Sequence, residues 1–179
     1  MKIVKRILIG VVAFIAIVLI TALFVDKDYA VEREIVINRP TPEVFDYVKQ
    51  IKNQDYFSKW NMADPSMKKT YKGTDAAVGF IYAWEGNSDV GKGEQEISKI
   101  EEGKRIDMAL RFKEPMEATA NAYISTDVIS ANQTKVKWSM NSSMPYPFNV
   151  MRIFMSIEDM LGKDLEAGLT NLKSNLEKQ

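Results

Sequence analysis

The sequence contains no cysteine and no histidine. Without thiols there is no disulfide and no thiolate nucleophile. Without imidazole the usual general base near neutral pH and the commonest neutral metal ligand are missing. The lack of cysteine fits any redox compartment. Glycine and proline are sparse, at 9 and 6 of 179 residues, and nowhere cluster into a long linker. No repeat recurs at a fixed period, which argues against a solenoid or propeller. An excess of one charge is lacking too, with 24 basic and 24 acidic residues.

The charge is unevenly placed. Residues 1–25 hold Lys2, Lys5 and Arg6 and no acid. Taking those three away leaves 21 bases against 24 acids, a net charge of −3 for the remainder. A mildly acidic domain lacks the clustered cations that displace counterions from a phosphate backbone, so no nucleic-acid partner is expected.

Ile7 to Val25 runs without a charged residue. As a helix it would span about 28 Å, close to the roughly 30 Å hydrocarbon core of a bilayer. The competing reading is a cleaved signal peptide, but the run is long and ends in bulky Leu23, Phe24 and Val25. The chain therefore reads as residues 1–25, an N-terminal transmembrane anchor, and 26–179, one soluble domain. Basic residues before the run and Asp26-Lys27-Asp28 after it predict a single-pass protein with a cytoplasmic N-terminus and an extracytoplasmic domain.

After the anchor the period alternates between two and helical. Tyr29–Ile37 alternates as a strand. Thr41 is placed to cap a helix and Pro42 to begin it, followed by Val44, Phe45, Val48 and Ile51 at helical spacing. Residues 53–60 form a second short helix or turn. Strands are predicted over 67–72, 78–85, 91–100, 105–113, 116–129 and 134–142. Inward faces carry Ile106, Met108, Leu110 and Phe112, then Met116 through Val128, then Val136, Trp138 and Met140. One apolar face per strand marks an antiparallel sheet covered on one side. Leu161, Leu165, Leu169, Leu172 and Leu176 then form a helical stripe, and Val150, Met151, Phe154 and Met155 extend the pattern back toward Pro147. The order is α+β: a sheet, interrupted early by short helices, closed by one long helix. A curved sheet around a helix leaves an apolar space between them.

The segment Val36-Ile37-Asn38-Arg39-Pro40-Thr41-Pro42-Glu43-Val44-Phe45-Asp46-Tyr47-Val48 resembles the opening of the START/polyketide-cyclase-like superfamily, also called SRPBCC. Asp55-Tyr56-Phe57-Ser58-Lys59-Trp60 and the helix from Leu161 to Lys173 are similar to its later motifs. The resemblance spans about residues 29–177. It implies the helix-grip fold, a curved antiparallel sheet wrapped around a long C-terminal helix. Members of that superfamily include lipid carriers, allergen-like binders, aromatic cyclases and chaperone-ATPase activators.

The expected ligand-binding residues are Tyr82, Trp84, Met108, Leu110, Trp138, Met140, Phe154, Leu161 and Leu165. Trp60 is a further candidate wall residue, though a structural role suits it better. Met155 is placed for a pocket mouth facing the bilayer. Glu94 and Glu96 share a strand face with Ser98 and read as solvated rather than as an acid–base pair. Inward polar candidates are Tyr82, Thr126, Thr134, Arg33 and Arg111, and they make no nucleophile–base pair. No cofactor and no metal are expected. The partner expected is a hydrophobic small molecule or lipid, with the membrane held through the N-terminal helix. A cyclase- or dehydratase-like enzyme and a protein-interaction module are the alternatives. The oligomeric state is not legible.

Overall fold

A computed structural model describes residues 2–178. Helix α1 (Lys2–Ala22) comes first, followed by strand β1 (Asp28–Ile37) and helix α2 (Thr41–Lys49). A 3₁₀ turn over Ile51–Tyr56 leads to the short helix α3 (Lys59–Ala63). Six strands follow: β2 (Lys68–Lys72), β3 (Ile81–Glu85), β4 (Lys92–Glu101), β5 (Arg105–Glu114), β6 (Ala118–Ser130) and β7 (Gln133–Ser143). A second 3₁₀ turn (Phe148–Ile153) precedes the final helix α4 (Ile157–Glu177).

The strands form one antiparallel sheet in the order β1-β7-β6-β5-β4-β3-β2. Strands β4 to β7 alternate buried side chains with more exposed ones along most of their length, as the period-two pattern requires. The buried face carries Ile106, Met108 and Leu110 of β5, Ala120, Ala122 and Ile124 of β6, and Val136, Trp138 and Met140 of β7. Helix α4 lies along β1 and β7 and buries Leu165, Leu169, Leu172 and Leu176. Each fully buried leucine contributes roughly 1.5–3 kcal/mol.

Several local details depart from the sequence expectations. Thr41 does not cap α2: the helix begins at Thr41, its cap position is Pro40, and the Thr41 hydroxyl lies 3.0 Å from that of Thr134. Thr134 in turn donates to the Arg39 carbonyl at 2.8 Å. A buried hydroxyl needs a partner more than a helix already led by prolines needs a cap. Val128 was expected inside but is exposed, because the β6–β7 hairpin runs past the start of β5, whose Arg105 pairs with Ser125. Helix α4 does not reach back to Pro147. The stretch 144–156 is instead a loop with one 3₁₀ turn, held by its own polar contacts to the foot of α1. Arg111 points outward to Glu94 (2.8 Å) and Glu96 (2.7 Å), which makes that face an ion-pair network on the solvent side. Arg33 lies over Gly162 and pairs with Glu166 at 2.6 Å.

Two glycines let α4 approach the sheet. A Cβ on Gly168 would sit 2.6 Å from Cζ3 of Trp138, whose ring is held edge-on by Phe57 and Trp60. A Cβ on Gly162 would meet only the guanidinium of Arg33, the mobile end of a long side chain. Alanine gains about 1 kcal/mol of helix propensity over glycine at either site. At Gly168 overpacking of a braced ring costs about 1–3 kcal/mol and wins. At Gly162 the change disturbs one partly exposed ion pair worth at most about 1 kcal/mol. Gly168→Ala should therefore lower the denaturation midpoint of the full chain, while Gly162→Ala leaves it nearly unchanged. Equal midpoints for the two variants in urea titrations would refute this account of the helix seat.

Candidate ligand-binding cavity

The interior is not uniformly filled. Cross-strand register divides it into two halves. Away from α1, Ile37, Ile106, Ile124 and Val136 join Val44, Val48, Leu172 and Leu176 in a closed core. In the half nearer the foot of α1 the middle of the sheet carries small side chains on β6, Ala120 and Ala122. Facing positions do not make up the missing volume, and a cavity of about 170 Å³ remains.

Its wall is largely apolar. Met108, Leu110, Trp138 and Met140 line it from the sheet, and Leu161 from the start of α4. Trp60, Trp84, Val90 and Phe112, also in the wall, are only half-buried, so the cavity is open on their side. Gly93 lies directly opposite Trp84 in the β3–β4 pair, and a Cβ there would fall 2.6 Å from the Trp84 ring. The glycine thus makes room for the indole, which packs edge-on against Phe112 with centroids 5.9 Å apart.

Polar groups gather at one part of the wall. The Tyr82 phenol donates to Asp55 at 2.6 Å and accepts from the Asn61 amide at 3.1 Å, and Lys69 pairs with Asp55 at 2.8 Å. Burial, and then the Asp55 carboxylate, push the Tyr82 phenol well above its ordinary pKa. It is therefore a fixed hydrogen-bond donor rather than a base. Gln95 donates to Gln54 at 2.9 Å, and the Gln54 amide faces the Met108 sulfur at 3.6 Å. Among the described residues that line the cavity, none carries a formal charge.

Of the nine residues expected from sequence, seven line this cavity: Tyr82, Trp84, Met108, Leu110, Trp138, Met140 and Leu161. Leu165 is fully buried in the packed core and does not reach the space. Phe154 is 83% exposed and lies outside it, because its segment is loop rather than the first turn of α4. Sequence reasoning missed Gln95, although β4 carries the signal: with Glu94 and Glu96 outside, Gly93, Gln95 and Ile97 must face in. Gln54 and Asn61 sit in a 3₁₀ turn and a five-residue helix, where no periodicity reports the facing side.

Comparison with known structures fits this architecture. Norcoclaurine synthase from Thalictrum flavum superposes with a TM-score of 0.66 at 8% identity, covering 89% of this chain and 92% of that one. This is the helix-grip fold. The ginseng major latex-like protein 151 from Panax ginseng aligns with a TM-score of 0.59 at 11% identity over 83% of this chain and 97% of the other. A protein from Nitrosospira multiformis aligns with a TM-score of 0.57 at 16% identity over 82% and 94%. The likeness includes an enzyme as well as proteins with no activity in their names, so it establishes the fold and leaves the activity open. No family model and no curated sequence matches the chain.

The loop between β3 and β4, which carries Val90, is tied down by Asp64. Its carboxylate accepts from the Ser66 hydroxyl (2.6 Å), the Ser66 amide (2.9 Å) and the Asn87 amide (2.8 Å). These bonds, led by the Ser66 hydroxyl, hold the Asp64 pKa below its usual value. A lowered folded-state pKa means that the stabilisation is whole above the unfolded-state value of about 4 and fades as pH falls through the lower folded value. Protection of the Asn87 amide against hydrogen exchange should therefore drop in that acid range. In Asp64→Asn the step should disappear; a step of the same size in that variant would show that another group controls the loop.

Proposed function

We propose that the protein is a single-pass, membrane-anchored member of the START-like superfamily whose domain holds the apolar part of a hydrophobic small molecule or lipid. The observation that carries this reading is the uncharged cavity of about 170 Å³ between the sheet, the segment 54–67 and the start of α4. An engineered cavity of about 150 Å³ lined by aliphatic and aromatic side chains stays dry and takes benzene, so a space of this size suits one ring or a short chain segment. Drug-sized ligands fill roughly 300–1,000 Å³. The site thus suits part of a ligand rather than a whole lipid, and the ligand's remainder would extend past Trp84 and Phe112.

Helix α1 supports the anchoring half of the proposal: it is long and apolar enough to cross a bilayer and its side chains are exposed. The basic residues ahead of it favour a cytoplasmic N-terminus with the domain on the opposite side. Residues 1–25 then act as the anchor and 26–179 as the ligand-binding domain. A complex of norcoclaurine synthase with dopamine and hydroxybenzaldehyde, aligned at 10% identity and a TM-score of 0.64, supports the reading of the cavity as a seat for a ring-bearing molecule. A cyclase- or dehydratase-like reaction would need a free acid or base facing the ligand. Here the Tyr82 proton is engaged by Asp55, and Asp55 by Lys69, so binding is the reading that the geometry favours.

Protein extracted in native lipid discs should release an apolar small molecule or lipid detectable by mass spectrometry. In emptied discs, a ring-sized probe such as indole at about a hundredfold excess over its Kd should raise Tm by roughly 5–10 °C. Ala122→Phe, which fills the cavity from the β6 wall, should abolish the shift. Folded wild-type protein with neither a bound molecule nor a response to indole would overturn the proposal.

A further inference from the structure

The stretch between β7 and α4 has a composition at odds with its exposure. From Met144 to Ile157 its only charged residue is Arg152, and that side chain is turned inward. Its NH1 donates to the carbonyls of Asp26 (2.7 Å) and Asp28 (2.8 Å), and its NH2 pairs with Glu158 at 2.5 Å. Asn149 is fully buried and its amide donates to the carbonyls of Ala22 and Val25, both at 2.7 Å. These are carbonyls at and just past the C-terminal end of α1, which the helix itself cannot satisfy. The Met144 amide adds a bond to Lys27 at 2.9 Å. The foot of α1 is thus clamped to the loop rather than tethered to it.

With the Asn149 amide nitrogen and the two terminal nitrogens of Arg152 bonded in the clamp, the loop turns apolar side chains outward. Phe148, Ile153 and Phe154 are exposed, the last at 83%. Leu23 and Phe24, at the end of α1, are 68% and 84% exposed beside them. Scattered apolar residues on a surface need no explanation, but a contiguous group with aromatic members marks a contact surface. What covers it is indicated by its position: it continues the apolar surface of α1 at the helix's end.

We infer that this collar is a membrane seat: Phe24, Phe148, Ile153 and Phe154 insert into the interfacial layer of the bilayer that α1 crosses, and the clamp holds the domain against it in one orientation. The inference rests on the reading of α1 as a membrane anchor. Aromatic side chains favour that layer. The seat also orients the cavity. The strand ends at Asp28, Ser143, Ala118, Glu114, Lys92 and Glu85 are joined by register into one end of the sheet. Met140, Phe112, Trp84 and Val90 stand at that same end, as does the collar. The cavity opening is thereby held at the bilayer surface, and the ligand's source is the lipid phase rather than water.

The chain has no cysteine, so a single introduced thiol can be spin-labelled without background. Full-length protein in lipid vesicles would carry the label in turn through Phe154→Cys, Phe148→Cys, Ile15→Cys within α1, and Asn132→Cys at the opposite end of the sheet. Collisional relaxation by oxygen, which concentrates in lipid, is compared with relaxation by a water-soluble nickel chelate. The inference expects oxygen to dominate at positions 148 and 154 as it does at 15, and the chelate to dominate at 132. Oxygen-dominated relaxation at 15 with chelate-dominated relaxation at 148 and 154 would overturn the seat and leave the anchor standing. Dipolar broadening between labels at 154 without lipid exposure would assign the collar to a second copy of the chain and also overturn it. An aqueous label at 15 would remove the anchor and the seat together. Binding of indole is read separately, so loss of the seat is not confused with loss of the ligand site.

Discussion

The spacing between α4 and the sheet is set where Gly168 meets the Trp138 ring. Because no Cβ intervenes, the helix comes down onto an indole already held edge-on by Phe57 and Trp60. On one side of this contact Leu169, Leu172 and Leu176 pack against large aliphatic side chains, and the interior is closed. On the other side the helix stays at the height that Trp138 imposes and reaches the open space only through Leu161. A helix is stiff over its 21 residues. It cannot dip to fill the gap, so the space beside Ala122 persists as a cavity. Ordinary interiors tolerate few voids larger than a water. Here one is kept open by the same contact that closes the rest.

The second constraint is the clamp at the foot of α1. A short connection between a helix and a strand leaves the helix's last carbonyls without partners, and burial makes each such group costly. Asn149 and Arg152 answer that need from a loop distant in sequence. The same need explains why α4 begins at Ile157 rather than a turn or two earlier. As helical residues, Asn149 and Arg152 would be drawn away from the carbonyls they satisfy.

Much of the fold is legible in the residues themselves. Alternation finds the strands because each has one covered face, and the leucine stripe finds α4 because period 3.6 is incompatible with a strand. The wall residues of β5 and β7 follow from the same alternation. What fails to show in sequence depends on partners far away in the chain. Phe154 continues a helical apolar pattern, but its apolar character belongs to an outer surface. Val128 keeps the inward phase of β6 after the core beneath it has ended. Leu165 has the right phase for the cavity and sits instead on the packed side of the space. The cavity itself is a difference of side-chain volumes across two layers, and no periodicity encodes that difference.

The cavity's size bears on how selectivity arises in the proposed role. Withdrawing about six methylene-sized groups from water is worth roughly 5 kcal/mol, a Kd between millimolar and micromolar. Taken from the bilayer, the same groups leave one apolar medium for another, and that driving force largely vanishes. Discrimination must then come from terms that lipid cannot supply: the shape fixed by Trp84, Trp138 and Met140, and the polar atoms of Gln54, Gln95 and Asn61 at the wall. A ligand with a polar atom placed to meet those amides gains a bond that hydrocarbon denies it, and one without it leaves buried amides less well satisfied. In such a site the greasy lining admits many molecules, and the few polar side chains decide which one stays.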